Sequence, residues 1–252
     1  MIANYHTHTR RCNHAVGEER EYIEHAIKGG LQVLGFADHA PMPFHDGYYS
    51  GFRMRVEQTA EYFDTLRALQ KEYEKDIRIL IGFEAEYYPN VFDDFLALVE
   101  PFAPDYLIMG QHALDNEVGA HFPSQATTDP ALLKKYVDQI TAGLATGKFL
   151  YQAHPDMMRF EGDPAVYERE MTRYLKFCKE QDIPVEINLL GMMDNRWYPR
   201  KEFWPLVANV GNRVVIGCDA HRPDVLSNKA LHRQGEEWAA RFGLTVTPML
   251  DV

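Results

Sequence analysis

Nine side chains able to bind a divalent metal are spread over almost the whole chain: His6, His8, His14, His39, Glu84, His112, His154, Asp219 and His221. The densest local signal is His6-Thr7-His8, because residues two apart at a strand end point the same way and both imidazoles reach one ion. A lone His-x-His says little. Its weight comes from its company: His14, Asp38-His39, Glu84, Gly110-Gln111-His112, His154-Pro155-Asp156 and Asp219-Ala220-His221. A single catalytic zinc commonly takes three protein ligands and a water, so this set exceeds the needs of one ion. It suggests two or three divalent ions sharing a bridging carboxylate, and mixed imidazole and carboxylate ligation suits Zn, Fe or Mn without choosing among them. Of the other histidines, His25 and His232 fall inside predicted helices and His45 and His121 in loops.

Elements must bring these residues together. The runs Met1–Asn4, Leu31–Ala37, Ile77–Phe83, Tyr106–Met109, Phe149–Gln152 and Val214–Cys218 are strand-like, and each ends at one or more of the ligand candidates. A further run, Ile183–Ile187, ends at Asn188. Amphipathic stretches lie between them, with helices predicted over Glu18–Lys28, Arg55–Lys75, Val91–Glu100, Pro130–Ala145, Pro164–Glu180, Lys201–Asn209 and Asp224–Phe242. Asp129-Pro130 and Asp163-Pro164 read as an N-cap followed by proline in the first turn. Strand alternating with helix predicts an α/β barrel of parallel strands, with chemistry at their carboxyl ends where distant residues converge. The metal site is therefore expected on the C-terminal face of the strands. Two long connections, Ala40–Met54 and Ala113–Thr128, are candidates for lids or substrate walls on that face.

Composition bounds the rest. A chain of 252 residues suits one barrel domain, residues 1–252. The net charge of −11 argues against a nucleic-acid partner. No apolar run is long enough to span a membrane, and the N-terminus lacks an apolar signal core, so a cytoplasmic enzyme with no membrane partner is expected. Three cysteines without paired spacing fit reduced thiols.

The motifs HTH at 6–8, His14, ADH at 37–39, GFEAE at 82–86, GQH at 110–112, AHPD at 153–156, EIN at 186–188 and CDAH at 218–221 span nearly the full length. In them the chain resembles the polymerase and histidinol phosphatase (PHP) superfamily of metal-dependent phosphoesterases, and within it the stand-alone histidinol-phosphate phosphatases. The resemblance implies a distorted (β/α)7 barrel with a trinuclear site. Carried over by motif position, His6, His8, Glu84 and Asp219 would hold one metal, Glu84, His112 and His154 a second, and His14, His39 and His221 a third. Glu84 would bridge, with Glu86 its rival.

Clustered divalent ions lower the pKa of a shared water, so the expected reaction is attack of a metal-bridging hydroxide on a small-molecule phosphoester, and the family resemblance implies L-histidinol phosphate as the leading substrate. Asp38 and His14 are the candidate side-chain acids for the leaving alkoxide, with a metal-bound water as the alternative. Arg159 and Arg196 are candidates for holding phosphate, since the planar guanidinium pairs with two oxygens. Gln111 and Asn188 are candidate substrate or supporting residues, with Glu117, Tyr48 and Tyr87 weaker ones. The rival readings are a phosphodiesterase or nucleotide phosphatase on the same metals, a nucleic-acid-associated proofreading module, and a non-catalytic metal binder. Oligomeric state has no signature in the sequence.

Overall fold

The strands are buried on both faces, so they read as near-continuous apolar runs, yet period two still decides which way each side chain points. In the computed structural model, which describes residues 1–45 and 47–252, strand β1 is Ala3–Asn4, β2 Val33–His39, β3 Arg78–Ala85, β4 Tyr106–Met109, β5 Val185–Asn188 and β6 Val214–Gly217. On β3, Ile79, Ile81, Phe83 and Ala85 join the large outer core beneath the helices, whereas Leu80 belongs to a smaller inner core. The same parity sends Gly82 and Glu84 inward. On β2 it sends Val33 and Ala37 inward and carries His39 to the same side. Tyr106 fills the inner space: a Cβ on Gly82 would stand 2.1 Å from its carbonyl oxygen, and one on Gly35 2.3 Å from its hydroxyl.

Strands β1, β2, β3 and β4 pair in that order, all parallel, and β5 pairs parallel with β6. The strand expected over Phe149–Gln152 is reduced to isolated bridges from Gln152 to Met109 and Val185. Its backbone still lies between β4 and β5, with Leu150 donating to Leu107 (2.7 Å) and Glu186 to Gln152 (3.1 Å). The left-handed turn at Gly147 and the left-handed backbone of His154 before Pro155 cut it short. At the other edge, Thr7 bridges Ala220 and His8 N donates to Ala220 O at 2.9 Å, so the parallel sheet is curled. At the opposite end of β6, Val246 bridges Val214, and Leu250 N donates to the Tyr5 hydroxyl at 2.7 Å.

The helices are α1 (Glu19–Gly29), α2 (Thr59–Glu72), α3 (Phe92–Val99), α4 (Pro130–Leu144), α5 (Pro164–Glu180), α6 (Leu189–Met193), α7 (Trp204–Val210) and α8 (Lys229–Arg241). Asp129 and Asp163 cap α4 and α5, each accepting a backbone N–H at 2.9 Å. The helix expected over Arg55–Lys75 opens with a separate 3-10 turn at Val56–Gln58, and that expected over Asp224–Phe242 breaks at Asn228, whose side chain caps α8. The expected Lys201–Asn209 helix begins later, at Trp204. Helix α6 was not expected; Asn188 starts it by accepting from Gly191 N at 3.0 Å. Among the described residues no helix is long and apolar enough to cross a membrane.

Candidate metal centre

All nine expected metal-binding side chains meet at the carboxyl ends of the strands. Glu84, inward on β3, is the hub: its Oε1 lies 2.7 Å from His154 Nε2 and 3.5 Å from His112 Nε2, and its Oε2 lies 3.1 Å from His39 Nδ1 and 3.5 Å from His6 Nε2. Asp219 Oδ1 lies 3.1 Å from His8 Nε2 and 3.4 Å from both His6 Nε2 and His221 Nδ1. His14, His39 and His221 form a third group whose ligand atoms all lie within 4.8 Å of one another. His154 and Asp219 have left-handed backbones, with φ of 30° and 48°. Such conformations cost on the order of 1–3 kcal/mol and cluster at functional sites.

The buried donors do not satisfy one another. His6 Nε2, both ring nitrogens of His8, His39 Nδ1, Glu84 Oε2 and Asp219 Oδ1 are enclosed and have no hydrogen-bond partner. An unpaired buried polar atom costs about 1–3 kcal/mol, and these converge on shared space. The pair His14 and His221 is more telling. Each Nδ1 faces a backbone carbonyl, Cys12 O at 2.8 Å and Asp219 O at 3.1 Å, and a carbonyl can only accept. Each neutral ring therefore carries its proton on Nδ1, leaving two Nε2 lone pairs facing at 2.9 Å. A cation between them removes the conflict.

Carboxylates behind the cluster aim the rings. His6 Nδ1 donates to Glu186 Oε1 (2.8 Å), and His112 Nδ1 to Glu86 Oε1 (2.7 Å), leaving Nε2 bare on each. Glu186 was not singled out in the sequence. It also accepts from Tyr151, from His154 N and from Asn188, and Asn188 reaches Asp219 Oδ2 at 3.1 Å. Its signal lies in the EIN motif: on β5, Glu186 shares the face of Asn188. Glu86, the expected rival to Glu84, engages His112 and Arg53 through Oε1, and its buried Oε2 has no hydrogen-bond partner.

Electrostatics show the same deficit of positive charge. Burial opposes a proton on His8, but the carboxylates of Asp219, Asp38 and Glu84 close to its ring carry it up to about 9. His6 is likewise raised against burial by Asp219, Glu186 and Glu84. Burial and the His8 charge push His221 down to about 3. A proton on His8 thus compensates the carboxylates at pH 7, and a metal ion must displace it. Zinc titration of the chelator-stripped protein at pH 7 is expected to release roughly one proton per chain, with affinity falling as pH falls. Binding heats compared in buffers of different ionisation enthalpy measure this; buffer-independent heats would contradict it.

A cleft of about 530 Å³ opens over the cluster, its polar side formed by His14, Glu84, Asp219, Arg196 and Arg222 and its apolar side by Phe52, Phe122, Met157, Met193 and Trp197. Several other expected residues lie away from the cleft lining. Asp38 does not line the cleft: it accepts from Thr9 and from His39 N, and its Oδ1 faces His8 Nδ1 at 3.4 Å. Arg159 is also outside the lining. Its backbone pairs with Pro123 and Thr127, and its Nε donates to Glu161 at 2.9 Å, beside the Trp197 ring. Gln111 is buried and spent on Tyr87 N and Ala113 O. Arg222, unforeseen, follows His221 into the wall.

The PHP domain model matches residues 4–189, and the chain belongs to that family. Among its relatives, the "Probable histidinol-phosphatase" of Deinococcus radiodurans is 30% identical over 233 residues, covering 88% of this chain and 87% of the relative. A Listeria monocytogenes structure, provisionally described as a histidinol phosphatase, superposes with a TM-score of 0.75 at 20% identity, covering 90% of this chain and 98% of the other. The histidinol phosphate phosphatase of Lactococcus lactis, solved with zinc, L-histidinol and phosphate, superposes at 0.69 with 19% identity, covering 97% and 95%. These two likenesses establish the fold. Family and donor cluster together define a metal-dependent phosphatase.

Proposed function

We propose that residues 1–252 form one (β/α)7 barrel whose cleft hydrolyses L-histidinol phosphate to L-histidinol and phosphate. The facing lone pairs of His14 and His221, at 2.9 Å beside the unpartnered carboxylate oxygens of Glu84 and Asp219, carry the metal part of this reading. Two or three divalent ions of Zn, Fe or Mn fit the donor set. His6, His8, Glu84 and Asp219 would hold one, Glu84, His112 and His154 a second, and His14, His39 and His221 a third. When bound, such ions supply an acidified water for attack at phosphorus and positive charge for the phosphoryl oxygens.

The chain's own residues do the rest. Glu186 and Glu86 hold the protons on His6 Nδ1 and His112 Nδ1, so the opposite nitrogens face the cluster. Arg196, its guanidinium set by Tyr198 (2.9 Å) and Asp194 (3.0 Å), orients phosphate at the cleft wall, and Arg222 adds charge. Phe52, Phe122 and Trp197 exclude water and offer ring faces to an imidazole-bearing alcohol. Of the two expected acids, only His14 reaches the cleft; Asp38 orients His8 from behind.

Replacing Arg196 by Ala is expected to lower kcat/KM about ten- to a hundredfold, mostly through KM, since a charged hydrogen bond contributes about 1.5–3 kcal/mol. Arg159→Ala is expected to change it less than about twofold. Steady-state kinetics of both variants check this, and equal losses would restore Arg159 to the site. Phosphate release from a panel of monoesters, diesters and nucleotides tests the substrate: L-histidinol phosphate should lead, and a faster diester or nucleotide would overturn the assignment.

A further inference from the structure

Beside His112, outside the donor cluster, lies a buried ionic network that the reaction as described does not use. Its centre is Arg53, on the connection after β2 and only 1% exposed. One amino group of its guanidinium donates to Ala40 O at 2.8 Å, next to His39. The other donates to Glu86 Oε1 at 2.9 Å and to Glu117 Oε1, and both carboxylates are buried. Tyr48 and Tyr88 also donate to Glu117, each at 3.4 Å.

From this geometry we infer that Arg53 is a positioning residue that holds His112 in metal-binding orientation and braces the two long connections walling the cleft. Glu86 Oε1 accepts from Arg53 and from His112 Nδ1 together, so the guanidinium fixes the carboxylate that fixes the ring. Glu117 belongs to the second connection, which supplies Phe122 to the wall. Phe52, adjacent to Arg53 in the chain, has its ring 4.6 Å from the guanidinium carbon and meets His39 and His112 at 5.3 and 5.8 Å. A buried ion cluster is a poor source of stability, because apolar replacements of similar volume often do as well or better. One guanidinium also faces two carboxylates here. The surplus negative charge lies where the His112 Nδ1 proton, and a cation on the opposite nitrogen, offset it. Arg suits this role because its planar fork reaches three acceptors at once, which a lysine ammonium on a flexible stem does not reproduce.

This inference rests on the proposed metal centre and is tested on the full chain, stripped with a chelator and titrated with Zn²⁺ alone against a chromophoric competitor. In Arg53→Gln, one Zn²⁺ affinity should fall about ten- to a hundredfold while the others hold. Arg53→Lys should show a partial loss at the same ion, and it decides the matter should Arg53→Gln fail to fold. Glu117→Gln should leave every Zn²⁺ affinity within about twofold while limited proteolysis within residues 113–128 accelerates. Unchanged affinities in both Arg53 variants would overturn the role. So would an equal loss at every ion accompanied by a lowered Tm, the signature of general destabilisation. A wild-type chain that binds no Zn²⁺ would instead overturn the metal centre itself.

Discussion

Glu84→Gln is expected to lower phosphatase activity by at least about a thousandfold while leaving the fold intact. The carboxylate is nearly isosteric with its amide, and the outer core that carries β3 (Ile79, Ile81, Phe83 and Ala85) is untouched. What changes is the hub. Glu84 is the carboxylate between His154, His112, His39 and His6, and burial would raise its pKa were it not held well below the usual range by His112, His6 and His39. An amide cannot bridge two cations, and its N–H₂ would confront imidazole nitrogens. Charge stabilisation by metal ions contributes several kcal/mol, and about 4 kcal/mol corresponds to about a thousandfold in rate. Elemental analysis with kinetics and thermal melts checks this: fewer ions per chain, near-zero turnover and a Tm within a few degrees of wild type. Normal metal content with normal turnover would remove Glu84 from the centre.

Gly110→Ala is expected to produce a smaller defect of the same kind from a single added methyl. Gly110 follows β4, where its N–H donates to Ala85 O, and an ideal Cβ there would lie 1.9 Å from Glu84 Oε1 and 2.5 Å from its Cδ. The backbone is held by the sheet, so the carboxylate must swing away. Misplacing a reacting centre by about 1 Å can cost about a hundredfold, the loss expected in kcat/KM. The contrast with Gly82→Ala makes the test specific, because that Cβ would strike the Tyr106 carbonyl oxygen at 2.1 Å and must damage the sheet. Gly110→Ala should therefore lose activity with a near-normal Tm, whereas Gly82→Ala should lose stability. Equal losses of Tm in both would mean that the space around Glu84 serves packing alone.

Much of this was legible because ligand chemistry and strand periodicity reinforce each other. His39 and Glu84 stand at the ends of apolar strands, so alternation along the strand both places and aims them, and Asp219 follows the apolar run of β6. Residues whose meaning is relational were not legible. Glu186 looks like any polar residue at a strand end until His6, Tyr151 and Asn188 are seen around it. Arg53 sits in a long connection whose path no local pattern fixes. Arg159 shows the converse: it follows His154 closely in sequence, but its backbone pairs with Pro123 and Thr127 and its side chain lies outside the cleft lining. Gln111 likewise neighbours His112, yet adjacent residues at a strand end face opposite ways, and its amide is consumed by backbone. The Phe149–Gln152 strand was legible as a run but not in its brevity, which the turns at Gly147 and His154 impose.

We propose the strand-end cluster as a multi-ion centre that hydrolyses a phosphomonoester. The most direct measurement titrates Mn²⁺ or Zn²⁺ into chelator-stripped protein, following bound metal and phosphate release from L-histidinol phosphate together. Negligible turnover is expected without metal, with recovery as two or three ions bind per chain. Full activity in the stripped protein, or saturation at one ion per chain, would contradict the proposal.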